Sequence, residues 1–412
     1  MPLSLDEKNI IIRSLMRDIR KKKKRSADAV ASLCGLSQQY LSEIERGQKI
    51  PTWTVIHDIF NVLDVDFKEN ESLYDDAQET LKKIILAYLT FDQKTLNTNV
   101  AELCLDKYHY SYAYFYYKLA FVVRKVFIEH QENSNLTPPE SSDLELRMFW
   151  LMCNAKSCTD SNSRLTLLND ALSIFVPHIK NPYTEGLHAS LLVDLAEIKE
   201  ETGQFYDALK LYEIALAETS ANYYTYFSLS VELRIASLYS KMGQASTSNA
   251  LNRAIIEKTI GNSYPAVHYA AQFNLASNQM ISGDYKSCIK TAASLLKEIN
   301  KDAQYASLHY LLAFSYYMLD DHANAIANCN ELLMQTDVCP QICKEFATAI
   351  QYSILKRDND DVLKKLFKTC LSSGDRGDVS IAYFLLRKRL LEKEDYKSAY
   401  ECANEYLTIL TK

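Results

Sequence analysis

Nine glycines and eight prolines are all that these 412 residues carry, too few to punctuate a β-sheet with turns. With 48% hydrophobic and 24% charged residues, the chain has apolar surface to bury and reads as helix-rich rather than disordered. Long apolar runs are missing as well: none approaches the roughly 18 residues that a membrane span needs. No secretory leader is legible, and the cysteines (Cys34, Cys104, Cys153, Cys158, Cys288, Cys329, Cys339, Cys343, Cys370 and Cys402) are scattered along the chain. A reducing, cytoplasmic setting with buried thiols is therefore expected in place of a disulfide framework. Cys153/Cys158 and Cys339/Cys343 lack the coupled second pair that a zinc site requires. HExxH, GxSxG, P-loop and GxGxxG patterns are absent, so neither an enzyme nor a cofactor is expected.

What is present begins with charge. Residues 1–65 hold 11 Lys/Arg against 8 Asp/Glu, a net +3 in a chain whose total is −6, which leaves −9 for the remainder. A small basic head on an acidic body suits a polyanion at the head alone. The length permits two or more domains or an elongated repeat array.

In the head, Ile11, Ile12, Leu15, Met16 and Ile19 recur at intervals of three and four between Asn9 and Lys22, which predicts an amphipathic helix with Arg13, Arg17 and Arg20 on its polar side. Ser26 offers an N-cap to a short second helix through Val30, Ala31 and Leu33, and Gly35 ends it. Ser37 then caps a third helix with Tyr40, Leu41 and Ile44 turned inward and Gly47 as its stop. Pro51 and Thr52 open a fourth helix carrying Trp53, Ile56, Ile59, Phe60 and Leu63. Helix, glycine-containing turn, helix is the layout in which the second member of the pair enters the major groove of DNA with its N-terminal side chains at base edges.

The stretch "GLSQQYLSEIERG", with "KIP" after it, resembles the lambda-repressor-like, XRE-type DNA-binding domain over residues 7–65. The resemblance implies that Gln38 and Gln39 read bases, and Gln can pair bidentately with adenine. The candidate DNA-binding residues are Ser37, Gln38, Gln39, Ser42, Arg46 and Lys49, with Arg20 and Lys23 from the first helix. One departure stands out: Ala27 occupies the place where the family usually has a phosphate-clamping Gln.

Beyond a polar joint near 64–76 the chain repeats. Ala196, Ala236 and Ala276 each stand seven residues before Gly203, Gly243 and Gly283, both sets stepping by forty, and the offset persists from Ala313 to Asp320. Small residues let paired helices approach, and the glycine closes the turn between them. Second-helix anchors are expected at Ala208, Ser248, Cys288, Ala325, Val362 and Ala399. This is a degenerate tetratricopeptide signature with a longer step than the usual period of about 34 residues, and HEAT-like repeats of about 40–47 residues are the competitor. Earlier helices are expected near 74–90, 92–105, 108–131, 143–157 and 164–175. The tyrosine-rich "YHYSYAYFYYKLAF" is apolar nearly all round and reads as packed interior. The fold class expected is thus all-α, with a helix-turn-helix domain at 1–68 and a tetratricopeptide-like α-solenoid at 69–412.

A solenoid offers an extended concave surface to a linear peptide. Asn154, Asp194, Arg234 and Asn274 are spaced by forty at equivalent points, and an Asn amide can serve a peptide's N–H and C=O together. Asn278, one turn further, extends the expected grip, and Tyr310 and Tyr317 are expected to wall an apolar pocket. An XRE-type head on such an array resembles the RRNPP family of quorum-sensing regulators. That resemblance implies a cytoplasmic homodimer on palindromic double-stranded DNA, gated by a short signalling peptide, with no membrane partner. Ala349 to Leu410, including Phe384, Leu385, Leu386 and Leu390, is the candidate dimer region. The alternative is a repeat scaffold or Rap-like anti-activator that works through protein partners.

Overall fold

The computed structural model describes all residues except 1–2, 133–136, 176–180, 222–223, 262–263, 300–302, 335–340, 356–359, 374–375 and 411–412. Among the described residues no β-strand forms, and none of the helices is long and apolar enough to cross a membrane. Cys339 lies outside the described residues.

The head consists of α1 (Leu5–Lys22), α2 (Ala27–Leu33), α3 (Gln38–Glu45) and α4 (Trp53–Val62). The apolar stripe expected of α1 is its core: Ile11, Ile12, Leu15, Met16 and Ile19 are each at most 5% exposed. Val30, Leu41, Ile44, Ile56, Ile59 and Phe60 are buried as well. The caps form as the serines suggest. Ser26 Oγ accepts from the Ala29 N–H at 3.0 Å and Ser37 Oγ from the Tyr40 N–H at 3.1 Å.

Next come α5 (Ser72–Leu89), α6 (Gln93–Leu103), α7 (Asp106–His109) and α8 (Tyr114–Val123), the last running into a π-helical turn at Arg124–Ile128. The single helix expected over 108–131 is broken at 110–113. There the Tyr110 carbonyl accepts the Lys68 N–H at 2.7 Å, and Ser111 Oγ takes the Ala113 N–H while donating to the Tyr108 carbonyl. A serine that satisfies the backbone locally competes with helix continuation. Tyr108, Tyr112 and Tyr116 are interior as expected, at most 2% exposed, while Tyr110 and Tyr117 are half-buried.

Helix pairs follow: α9 (Leu144–Ser157) with α10 (Ser161–Ile174), α11 (Pro182–Glu201) with α12 (Phe205–Ala221), α13 (Thr225–Lys241) with α14 (Ala245–Thr259), and α15 (Pro265–Ile281) with α16 (Tyr285–Leu295). The array continues with α17 (Ala303–Met318) and α18 (His322–Met334), α19 (Gln341–Ile354) and α20 (Asp360–Ser373), and α21 (Arg376–Glu392) and α22 (Tyr396–Leu410). The fold is a helix-turn-helix domain followed by an α-solenoid of helix pairs. The chain divides into two compact units, Met1–Ser228 and Leu229–Lys412. The head shares the first of them with α5 to α12.

The anchors sit where the spacing puts them. Ala196, Ala236, Ala276, Ala208, Ser248, Cys288 and Ala325 are fully buried, and Ala313 and Ala399 nearly so. Val362 is the exception at 40% exposed; the adjacent Leu363 takes the buried place at 1%. The buried face of α20 thus lies one residue later than the spacing puts it.

The repeated turn is a left-handed stop. Gly203, Gly243 and Gly283 have φ of 74°, 76° and 81°, and Asp320 and Glu394 take the same role at 61° and 60°. In each, the next residue's N–H reaches back along the chain into the last turn of the helix, as from Gln244 to Tyr239 at 2.9 Å and Asp395 to Leu390 at 2.9 Å. A Cβ built on Gly243 meets nothing within 4 Å, so Gly243→Ala is expected to cost only the left-handed strain, about 1–2 kcal/mol. The exposed Glu394 already bears that strain, and Glu394→Gly is expected to gain about 0.5–1 kcal/mol after the extra chain entropy of glycine is subtracted. Urea unfolding of both variants checks the pair; equal signs would show that the turn is not the governing term.

Candidate nucleic-acid interface

The turn before α3 is set by Gly35 at φ 66° and by the Leu36 N–H, which donates to the Ala31 carbonyl at 2.8 Å. This places Ser37 at the N-cap and leaves Gln38 and Gln39 exposed on the first turn. Ser42 is half-buried one turn on, and its carbonyl accepts the Arg46 Nε at 3.2 Å, with Arg46 exposed. Behind this surface Leu41 and Ile44 are 1% exposed, so α3 is pinned by its apolar side and offers its polar one.

An acid shares that face, which the sequence reading missed. Glu43 Oε1 accepts the Gln39 amide at 3.0 Å, and its other oxygen lies 3.1 Å from Lys49 Nζ. The Gln39 amide first, and then Lys49, hold the Glu43 carboxyl below the ordinary range. Lys49, itself over the Tyr40 ring at 5.4 Å, thereby neutralises a charge that would repel phosphate. The i, i+4 spacing of Gln39 and Glu43 was the available signal.

On the first helix one of the two candidate cations is already engaged within the head. Arg20 is not a surface cation: its Nε and Nη2 clasp the Glu45 carboxylate at 2.6 and 2.7 Å, and its Nη1 donates to the Arg25 carbonyl at 3.0 Å. The hydrogen bond to Glu45 raises its pKa further. A bidentate, half-buried guanidinium ties α1 to α3 and is spent there. Lys23 lies 3.1 Å from Asp64, but Asp64 is 71% exposed, so this surface pair is weak and Lys23 can exchange it for a phosphate. Lys21, Lys22 and Lys24 are exposed at the C-terminal end of α1, where cations also suit the helix dipole.

The forty-residue polar ladder is split by the fold. Asn154 is fully buried. Asp194 is 1% exposed and bound to Lys156. Asn278, at 3% exposed, accepts from Ser240 Oγ at 2.6 Å and donates to Ser248 Oγ at 2.8 Å and Asn249 at 3.0 Å. It joins α13, α14 and α15 and is not turned to a ligand. Tyr310 and Tyr317 are core residues, the first packed 5.1 Å from the Phe346 ring and the second beneath Lys388 at 4.4 Å. Arg234 is exposed and Asn274 half-buried. Of the candidate dimer residues, Leu385, Leu386 and Leu390 are at most 3% exposed, and Phe384 packs against the same core.

Residues 16–70 match the helix-turn-helix family model. No curated protein matches the chain. Among solved structures, a Rap protein complexed with Competence and Sporulation Factor is similar over 82% of this chain and 98% of its own, at 14% identity and a TM-score of 0.59. Aspartyl phosphate phosphatase F from Bacillus subtilis is similar over 84% of this chain and 95% of its own, at 11% identity and a TM-score of 0.57. At these identities the likeness is one of fold. PlcR from Bacillus thuringiensis, solved with the peptide PapR7 and DNA, superposes too loosely for its fold to be read onto this chain, with a TM-score of 0.31 at 14% identity over 77% of this chain and 98% of its own.

The class is thus a helix-turn-helix domain joined to a helical-repeat body whose fold is similar to that of a Rap protein.

Proposed function

We propose that the chain is a cytoplasmic transcriptional regulator that binds palindromic promoter DNA as a homodimer and is gated by a short signalling peptide held by its repeats. The observation that carries the DNA reading is the exposed first turn of α3, with Gln38 and Gln39 facing outward from a buried apolar side within a helix-turn-helix. The Rap protein solved with Competence and Sporulation Factor supports a body of this fold that takes a signal. Arg234 on α13 and Asn274 on α15 are the ladder positions that reach the surface, where a peptide could meet them. Such a peptide acts only through its differential affinity for two states of the body; a hundredfold change in DNA affinity corresponds to about 2.7 kcal/mol of coupling, and operator DNA must change peptide affinity by the same factor. The scaffold reading draws on the likeness of the body to aspartyl phosphate phosphatase F.

The deciding experiment selects duplexes from a random pool and follows their binding by fluorescence anisotropy across salt concentrations. A selected sequence is expected to bind well above random DNA. Replacing Lys21 to Lys24 by Gln is expected to flatten the slope of log affinity against log salt by about 0.9 for each phosphate no longer neutralised, on all sequences alike. If no sequence is enriched, the scaffold reading takes its place.

A further inference from the structure

Ser4 and Glu7 open α1 in the pattern of a capping box, but the box is only half made. Ser4 Oγ accepts from the Glu7 N–H at 3.1 Å. The Glu7 carboxylate, which in such a box returns to the N-cap N–H, turns away from its own helix. It is 4% exposed and accepts the Ser141 hydroxyl at 2.8 Å and the Ser142 N–H at 3.1 Å on each oxygen. These donors flank the N-terminus of α9, whose N-cap Asp143 accepts from the Leu146 N–H at 2.9 Å. A carboxylate is kept buried only where donors meet it, and Glu7 finds its donors 134 and 135 residues along the chain. Lesser contacts are spread along α1: Asp18 accepts from Tyr114 Oη and Lys118 Nζ, both at 2.8 Å, Arg13 pairs with Glu140, and Lys8 pairs with Glu71. Those are partly exposed and individually weak.

We propose that Glu7 is a positioning residue that seats the helix-turn-helix head on the N-terminal flank of α9, so that α9, and not the connection at 63–71, sets the direction in which α3 is presented. At its other end α9 carries Lys156, which holds Asp194 of α11. One helix therefore links the head to the first repeats, and a change in how α9 packs on α11 turns the head. The aiming of α3 rests on the DNA reading above; the seat does not.

Hydrogen exchange of the full-length chain, read by mass spectrometry for wild type, Glu7→Gln and Ser141→Ala, tests the seat. Gln at this position still completes a capping box, so a purely local role for Glu7 leaves residues 137–146 unchanged. The expected result is exchange over 137–146 faster by about tenfold in both variants, with α3 and α11 protected as in wild type. Unchanged exchange over 137–146, or loss of protection confined to α1, overturns the seat. A second readout uses selected operators with half-sites moved apart by a few base pairs. Glu7→Gln is expected to lose about tenfold of the preference for the native spacing while single half-site affinity stays the same. A retained preference alongside faster exchange overturns the aiming of α3. Should wild type prefer no DNA sequence, the DNA reading falls, and exchange still decides the seat.

Discussion

Replacing Lys156 by methionine is expected to destabilise the fold by about 3–5 kcal/mol, because the buried Asp194 carboxyl loses the partly exposed cation that offsets its burial. Asp194 has a side chain only 2% exposed; its Oδ1 meets Lys156, and its Oδ2 has no hydrogen-bond partner among the described residues. Burial pushes the Asp194 carboxyl up, and the Lys156 ammonium opposes that rise. Burial also works against the ammonium, yet the Asp194 carboxylate beside it holds Lys156 above its ordinary value. Methionine removes the principal cation that opposes the burial of the Asp194 carboxyl. A carboxyl raised in the folded state adds stability that is full below its unfolded pKa and is lost as pH rises through the folded one. The penalty of Lys156→Met is accordingly expected to be larger at pH 8 than at pH 4.5, and Asp194→Asn in the same chain is expected to recover part of it. Urea unfolding at the two pH values measures this. A penalty below about 1 kcal/mol at pH 8 would mean that solvent reaches Asp194 and the pair is a surface one.

Changing Gln38 to Ala is expected to weaken binding to the selected operator by about 1–3 kcal/mol and to leave binding to random DNA nearly as it was, because a bidentate amide contact discriminates bases while phosphate contacts do not. Gln39→Ala is expected to act differently. Its amide is engaged with Glu43 in the free protein, so that bond must open before an adenine is read, and the net loss is smaller. Freed of Gln39, Glu43 keeps Lys49, which prevents an uncompensated acid on the reading face. Equal losses on operator and random DNA for both variants would remove the pair from base reading.

The sequence by itself determined the periodic and local features. Ile11, Ile12, Leu15, Met16 and Ile19 mark one buried stripe; Ser26 and Ser37 cap the helices they precede; Ala196, Ala236 and Ala276 lead to turns of one geometry. Such features are legible because each is set by neighbours within a turn or two of the same helix. Even the glycine stop carried over to Asp320, since the turn's hydrogen bonds, and not the residue, define it. Only the tertiary structure decided where polar groups end up. Residues at equivalent repeat positions share a phase, yet Asn154 and Asp194 are buried while Arg234 is exposed, because burial depends on what the next helix brings: Lys156 comes to Asp194. Arg20 left the candidate DNA surface because Glu45 folds back onto it, and Glu7 left its own cap because Ser141 and Ser142 arrive from the flank of α9. A charged side chain goes to the strongest partner within reach, and which partners are within reach is a property of the packed chain, not of the local pattern.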